Sequence, residues 1–130
     1  MLEGHKNTKK QGDAGMGIAI GWFAEHGYTV CVPLSDSQSY DLVVDNGEGL
    51  RRVQVKTTTY RDKYGRYNAN LSVKGWSTRT KGCYVRRFSV DQADLLFIVL
   101  GDGHKYLIPA DRVGGSTISL GEKFSDCEVT

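Results

Sequence analysis

Residues 39–58 restrict the fold of this chain more than any other stretch. Two short runs rich in β-branched residues, 42–44 and 53–55, lie on either side of a turn-forming segment, Asp-Asn-Gly at 45–47. Turn residues between alternating apolar runs are typical of a β-hairpin. Because strand side chains alternate between two faces, Gln54 and Lys56 share one face. If Asp41 opens the partner strand, a carboxylate, an amide and an ammonium group converge beside one sheet surface.

These three side chains together predict phosphodiester chemistry. A carboxylate can hold a hard divalent cation, whose charge offsets the phosphate and helps to deprotonate water. A lysine can orient that water or stabilise negative charge developing on the phosphorus centre. Each residue also has a structural alternative: Asp41 as an exposed strand-start residue, Gln54 as a hydrogen-bonding strand residue, and Lys56 as a solvated lysine at a strand end. Their offset across one turn favours a joint site.

The same residues resemble the PD-(D/E)XK nuclease superfamily. Tyr40-Asp41 stands where that family has Pro-Asp, and Gln54-Val55-Lys56 stands where it has an acid, any residue and lysine. The Q-X-K form is similar to the branch of group I intron-encoded homing endonucleases. The resemblance covers most of residues 10–120. It also includes the following segments: Gly27-Tyr28, Val32-Pro33-Leu34, 40–44, 53–58, 94–97 and Tyr106-Leu107-Ile108-Pro109.

The resemblance implies a restriction-endonuclease-like α/β core and a metal-dependent, site-specific endonuclease for double-stranded DNA. It implies Asp41, Gln54 and Lys56 as catalytic residues, and Asp41 with the Val55 carbonyl as metal ligands. Because glutamine is a weaker ligand than a carboxylate, we expect loosely held Mg²⁺ that is shared with the phosphate, with Mn²⁺ able to substitute. Members of the branch act as oligomers, which implies a homodimer or homotetramer.

One position departs from the family pattern. Many members supply a further acid from the first helix, and alignment on the Gly-Asp-x-Gly stretch puts Met16 there. A thioether is a poor ligand for a hard cation. Three explanations stay open: a second metal site is absent, Asp13 substitutes from one turn earlier, or activity is reduced, including by an inactivating change at Met16. Asp13 has an equally good structural explanation, because acids in a first helical turn are favoured by capping and by the helix dipole.

Length and composition favour one intracellular domain. The 130 residues suffice for a single core, predicted as residues 1–130 with 1–12 flexible. No apolar run approaches the length of a membrane span, and the polar start lacks a signal core, so we expect a cytoplasmic protein with no membrane contact. Cys31, Cys83 and Cys127 form no C-x-x-C pair and the three histidines are scattered, which argues against a zinc site.

The net charge of +2 conceals a strong asymmetry. Residues 51–90 hold eleven lysines and arginines against the single acid Asp62, whereas both flanking segments are acidic. Such a basic segment, interleaved with aromatic residues, is typical of a partner that is a polyanion. The residues predicted to contact DNA are Arg79, Lys81, Arg86, Arg87, Trp76, Thr57 and Thr58. A solvated basic loop is the alternative for the arginines and lysine.

The order of predicted elements is that of a mixed α/β domain with a central sheet. We expect a helix over 13–26 with Gly27 as its C-terminal cap, because Met16, Ala19, Ile20 and Phe23 recur at helical spacing. Strands are expected at 28–32, in the hairpin, at 67–73, at 95–100, at 105–109 and at 117–120. The continuous apolar run 95–100 predicts a strand buried on both faces. Residues 75–87 show no apolar period and are predicted to form a long loop.

Three functions remain at this point. The first is the homing-type endonuclease. The second is a Holliday junction resolvase, which shares the fold but usually carries the helix glutamate and an E-X-K sequence. The third is a DNA-binding module without catalysis, which Met16 and Gln54 both favour.

Overall fold

The computed structural model describes residues 2, 7–77, 82–86 and 88–130, and for 73–77 and 82–86 it describes the backbone alone. One helix, α1, spans Thr8–Glu25. Ten strands follow: β1 Thr29–Cys31, β2 Leu42–Asp45, β3 Leu50–Thr58, β4 Tyr67–Asn70, β5 Val73–Ser77, β6 Gly82–Arg86, β7 Leu95–Leu100, β8 Lys105–Pro109, β9 Thr117–Leu120 and β10 Glu128–Val129. Short 3-10 helices lie at Ala110–Arg112 and Glu122–Cys127. This is the single α/β domain with a central mixed sheet that the sequence predicts.

A six-stranded sheet organises the domain in the order β1-β2-β3-β7-β8-β10. The pair β3–β7 is parallel, and every other pair in this sheet is antiparallel. As predicted, all six residues of β7 are buried. Alternate β7 residues face two separate cores: Leu95, Phe97 and Val99 pack on the side of α1, and Leu96 and Ile98 pack on the other. Strand β3, which carries Gln54 and Lys56, therefore lies beside a strand whose six residues are all buried.

Helix α1 starts five residues earlier than the sequence predicts. The Asn7 side chain caps it by accepting hydrogen bonds from the amides of Lys9 and Lys10. The helix thus includes residues 8–12 of the stretch predicted to be flexible, and Leu2 is buried in the core on the helix side. Gly27 has a φ of 84°, as expected of a left-handed helix cap. No helix in the described part of the chain has the length and apolar character needed to cross a bilayer.

The hairpin of β2 and β3 forms as predicted. Leu42 pairs with Val53 and Asp45 with Leu50. The Asp45 carboxylate accepts hydrogen bonds from the amides of Gly47 and Gly49, both of which have positive φ. This turn chemistry fixes the register, and the register decides which β3 residues lie next to Asp41.

The prediction of a long loop at 75–87 is wrong. Strands β5 and β6 form an antiparallel hairpin in which Trp76 pairs with Cys83 and Gly75 with Tyr84. Backbone hydrogen bonds define this two-stranded sheet, so the absence of an apolar period in the sequence did not exclude it. A second small sheet pairs β4 with β9. The tail, whose placement was not predicted from the sequence, contributes buried Phe124 and the edge strand β10.

Candidate active site

The candidate site lies where β3 continues past the end of β2. The hairpin pairing stops at Leu42 and Val53, but β3 runs on to Thr58 and pairs there only with β7. One edge of 54–58 therefore faces an opening instead of a neighbouring strand. A cavity of about 320 Å³ occupies this opening, with the first turns of α1 on its other side. Its lining residues are Thr8, Gln11, Gly12, Met16, Asp41, Val55, Lys56 and Thr57.

Asp41 is held at this edge by the backbone of β3. Its own amide donates to the Val53 carbonyl at 2.8 Å. Its carboxylate oxygen Oδ2 accepts hydrogen bonds from the Val55 amide at 2.8 Å and from the Gln54 side-chain amide at 3.0 Å. The spacing of 13 and 14 residues along the chain thus becomes direct contact across the hairpin. Three of the residues singled out in the sequence meet at one carboxylate.

Burial shifts the pKa of each of the two charged residues in the direction that favours its neutral form. Desolvation raises the pKa of the Asp41 carboxyl, although the hydrogen bond from the Val55 amide and the charge of Lys56 oppose this. Desolvation lowers the pKa of the Lys56 ammonium, and the charge of Asp41 partly restores it. Both groups are therefore less well solvated than on an open surface. A site that penalises charge in this way is typical of acid-base or ion-binding positions.

The donor set fits one hard cation with few protein ligands. Asp41 supplies a carboxylate, and the Val55 carbonyl points to the same side of β3 as the Val55 amide that reaches Asp41. The described residues contain no group of three or more His, Cys, Asp or Glu side chains able to hold a metal. Mg²⁺ commonly binds through one or two carboxylates while keeping waters and using substrate phosphate. The residues present fit that mode and not an all-protein cage.

The helix side of the cavity carries Met16 and no acid. Met16 lines the cavity, which agrees with its alignment to the family's helix acid. Asp13 is exposed and does not line the cavity, so the structure does not bring it to Asp41 as the sequence predicted. The reason is helix geometry: Thr8, Gly12 and Met16 follow one another at i, i+4 and i+8, whereas Asp13 is rotated by about 100° from Gly12.

The two threonines predicted to contact DNA have different positions. Thr57 lines the cavity and packs so closely on α1 that a Cβ atom added at Gly15 would lie 2.0 Å from the Thr57 hydroxyl. Thr58 is buried, and its hydroxyl donates to the Asn68 carbonyl at 2.7 Å and accepts from the Tyr60 amide. These bonds hold the chain as it leaves β3 and engage the Thr58 hydroxyl inside the protein, and its contact with DNA remains a prediction.

The remaining predicted DNA contacts fall partly outside the described structure. Arg79, Lys81 and Arg87 lie outside the described residues. Trp76 and Arg86 belong to β5 and β6, whose backbone alone is described. These assignments remain predictions.

The sequence reasoning missed Thr8 and Gln11, which line the cavity from the first turns of α1. The error followed from the late helix start. Asn7 directly before Thr8 was the available signal, since asparagine is among the preferred residues at a helix N-cap.

Comparison with known proteins identifies the family of this chain. The structure of a bacterial homing endonuclease, I-Ssp6803I, matches with a TM-score of 0.75 and 29% identity over 89% of this chain and 79% of that chain. The crystal structure of MepB matches with a TM-score of 0.46 and 13% identity over 85% of this chain and 83% of that one. No curated protein sequence matches the chain. The family model described as PD-(D/E)XK endonuclease matches residues 6–128. The chain therefore belongs to the PD-(D/E)XK endonuclease family.

Proposed function

We propose that this protein is a metal-dependent, homing-type endonuclease that hydrolyses phosphodiester bonds at a long, specific site in double-stranded DNA. One observation carries the proposal: Asp41, Lys56 and the Val55 backbone border the same half-buried cavity at the open edge of β3. The homing assignment draws further support from the likeness to I-Ssp6803I, described as a bacterial homing endonuclease. The nuclease fold alone would leave the type of site undecided.

Each residue has a distinct role in this proposal. Asp41 and the Val55 carbonyl would hold Mg²⁺, or Mn²⁺ in its place, beside the scissile phosphate. When bound, such a cation offsets phosphate charge and makes water a better nucleophile. Lys56, whose pKa is lowered by burial, exchanges a proton with the attacking water more readily near neutral pH than an ordinary lysine does. Gln54 donates to Asp41 and so orients the carboxylate that binds the ion.

Two copies of the chain would allow both strands to be cut in one binding event. The described residues bring together a single cavity of this kind around Asp41, and one such site cuts one strand at a time. We therefore propose a homodimer or homotetramer whose two-fold symmetry matches a nearly palindromic target. Sedimentation of the protein with and without target DNA measures this assembly.

The direct test is cleavage of a randomised plasmid library, sequenced at the cut ends. We expect Mg²⁺-dependent cutting at a limited set of related sites, lost in Asp41→Asn and in Lys56→Ala. The matched control is Asp111→Asn, which makes the same chemical change at an exposed residue after β8 and should cut normally. Undiminished cutting by both site variants would remove the mechanism.

A second candidate is a DNA-binding module without catalysis. It is favoured by Met16, which lines the cavity where the family's helix acid is expected, and by the single carboxylate at the site. Sequence-specific binding with no product under either Mg²⁺ or Mn²⁺ would establish it. The same gel-shift experiment includes a four-way junction, because preference for the junction over linear duplex would support the resolvase alternative.

A further inference from the structure

The turn that follows β3 presents an exposed aromatic and basic surface. Residues 59–66 connect β3 to β4, and within them Tyr60 is 66% exposed and Tyr64 is 74% exposed. Arg61, Lys63 and Arg66 are also exposed. A contiguous exposed surface of this composition is unusual for a segment that only connects two strands. We call this segment the 59–66 turn.

Asp62 holds the 59–66 turn in one conformation. Its Oδ1 accepts hydrogen bonds from the amides of Tyr64 at 2.8 Å and Arg66 at 3.0 Å, and its Oδ2 accepts one from the Asn68 side chain at 3.0 Å. The Asp62 amide donates to the Arg66 carbonyl, and Gly65 supplies the positive φ of 80° that closes the turn. The bond from Asn68, followed by those from the two amides, lowers the pKa of Asp62. The only acid in this basic third of the chain is therefore occupied inside the turn.

Two of the three cations of the turn lie against aromatic rings, one ring in the turn and one in β4. The Lys63 ammonium lies 5.1 Å from the centre of the Tyr64 ring. Arg61 stacks on the Tyr67 ring at 4.4 Å and donates to the Tyr67 hydroxyl. An aromatic ring beneath a cation restricts the long side chain before binding. Less conformational entropy is then lost when the cation contacts a fixed array of negative charges.

The turn is also close to the cavity along the same strand. Tyr60 follows Lys56 by four residues, so an extended chain places it at most about 13 Å away. Measured along the duplex axis, that distance spans about four phosphates of one strand. A duplex with its scissile phosphate at Lys56 and its axis directed toward the 59–66 turn would carry neighbouring phosphates past this turn.

We propose that the 59–66 turn is a DNA-backbone contact surface, separate from the catalytic cavity, in which Lys63 and Arg66 neutralise phosphates flanking the cleaved bond. The inference rests on the proposed function, since it requires duplex DNA as the partner. In this proposal the turn contributes to DNA affinity and to the position of the protein along the duplex, whereas Asp41 and Lys56 act in the chemical step.

Salt dependence of duplex binding tests the assignment without any cleavage. Affinity for a 30-base-pair duplex is measured in EDTA by fluorescence anisotropy from low to moderate salt. Each phosphate contact that is lost lowers the slope of log affinity against log salt by about 0.9. We expect Lys63→Ala to lower the slope by about that amount, and Lys63→Ala with Arg66→Ala to lower it by about 1.8 and to weaken binding by about 30-fold.

Lys123 provides a matched control on the opposite, acidic part of the chain. Its ammonium lies 5.4 Å from the Phe124 ring, much as Lys63 lies over Tyr64, and both lysines are exposed. Lys123→Ala should leave slope and affinity unchanged. Tyr64→Phe should bind like the wild type because the ring is kept, whereas Tyr64→Ala should weaken binding about 3-fold by removing the support of Lys63.

The outcomes separate the two proposals. A wild-type protein that neither binds nor cuts duplex DNA overturns the proposed function and this inference with it. A wild-type protein that binds and cuts, together with a Lys63→Ala, Arg66→Ala variant of unchanged slope, overturns the inference alone. Thermal melting curves check that the exposed substitutions leave the fold intact, so a lost slope cannot be assigned to unfolding.

Discussion

Two aspartates contact β3 from opposite sides. They differ in how the charge of the carboxylate is balanced, and this difference distinguishes a structural acid from a candidate site acid. Asp41 directly precedes β2, and Asp94 directly precedes β7. Each accepts a backbone hydrogen bond from β3 at 2.8 Å, Asp41 from the Val55 amide and Asp94 from the Arg52 amide. The sequence offers the same arrangement twice, an acid at the start of a strand that neighbours β3.

The second partner distinguishes them. The guanidinium of Arg52 lies 3.2 Å from Asp94 and donates to it, and this interaction lowers the pKa of Asp94. Asp41 receives a neutral amide from Gln54, and burial raises its pKa. The charge of Asp94 is therefore balanced by a neighbouring side chain, whereas the charge of Asp41 is incompletely balanced at a cavity. A carboxylate of the second kind gains most from an added cation.

Exchanging each aspartate for asparagine should produce the largest contrast. Asp41→Asn keeps an oxygen that can accept the bonds from Val55 and Gln54 but removes the charge, so we expect cleavage to fall by about 10³-fold or more while the melting temperature is unchanged or higher. Asp94→Asn should cut within about 3-fold of wild type and lose stability. Single-turnover cleavage and thermal melts of both variants measure the contrast. Equal losses of activity would show that the two acids do not differ in function.

Gln54→Glu adds a second carboxylate beside Asp41 and should increase the difference between the Asp41 and Asp94 sites in their affinity for a cation. Because more anionic ligands tighten Mg²⁺ binding, we expect the Mg²⁺ concentration for half-maximal cleavage to fall by about tenfold. Without metal, two neighbouring carboxylates repel each other, so the variant should melt at a lower temperature in EDTA than in Mg²⁺. Gln38→Glu, at a partly exposed position in the loop before β2, is the control for added charge. A Mg²⁺ requirement that is unchanged in Gln54→Glu would place the ion away from Gln54.

Close packing of α1 on β3 distinguishes the Asp41 side from the Asp94 side. In Gly15→Ala the added methyl would lie 2.0 Å from the Thr57 hydroxyl, so the helix or the strand must shift. We expect a loss of about 1–3 kcal/mol in the free energy of unfolding, partly offset by the better helix propensity of alanine, together with reduced cleavage. Adding Thr57→Ala to Gly15→Ala should restore part of the lost stability, because the hydroxyl is removed while the Cβ of residue 57 stays 3.2 Å from the added methyl. Gly17→Ala, on the same helix with open space at its Cβ, should be neutral or stabilising. Urea denaturation of Gly15→Ala, of the double variant and of Gly17→Ala tests this packing.

The sequence predicted the part of the site that depends on local register. A two-run hairpin with a defined turn fixes which residues face each other, so the meeting of Asp41 with Gln54 followed from counting along two strands, whereas Val55 was named only by the family resemblance. The family resemblance likewise predicted that Met16 lies on the site, and it lines the cavity.

Other features depend on contacts that local patterns do not encode. Thr57 and Thr58 are adjacent and chemically identical, yet Thr58 is buried because Asn68, ten residues away, accepts its hydroxyl proton. Strands β5 and β6 pair through backbone groups, which every residue except proline possesses, so side-chain periodicity did not predict them. Asp41 and Asp94 could not be ranked either, since their difference is set by Arg52, a neighbour of Asp94 that is distant along the chain.

Opposite pKa shifts predict opposite responses of the two aspartates to pH. The folded-state pKa of Asp94 is lowered, so Asp94 stabilises the fold above the ordinary aspartate pKa of about 4 and this contribution is lost as the pH falls through the lower folded value. The folded-state pKa of Asp41 is raised, so its ionised form opposes folding above that raised value. This destabilisation decreases as the pH falls below the raised value and is gone below the ordinary aspartate pKa.

Relative to wild type in EDTA, Asp94→Asn should therefore be less stable near pH 7 by about 1 kcal/mol or less, given its exposure, and equal to wild type in acid. Asp41→Asn should be equal or more stable near pH 7, and any advantage should vanish in acid. Urea denaturation at a series of pH values measures both differences, and curves of the same sign for the two variants would contradict the distinction between a balanced and an unbalanced carboxylate.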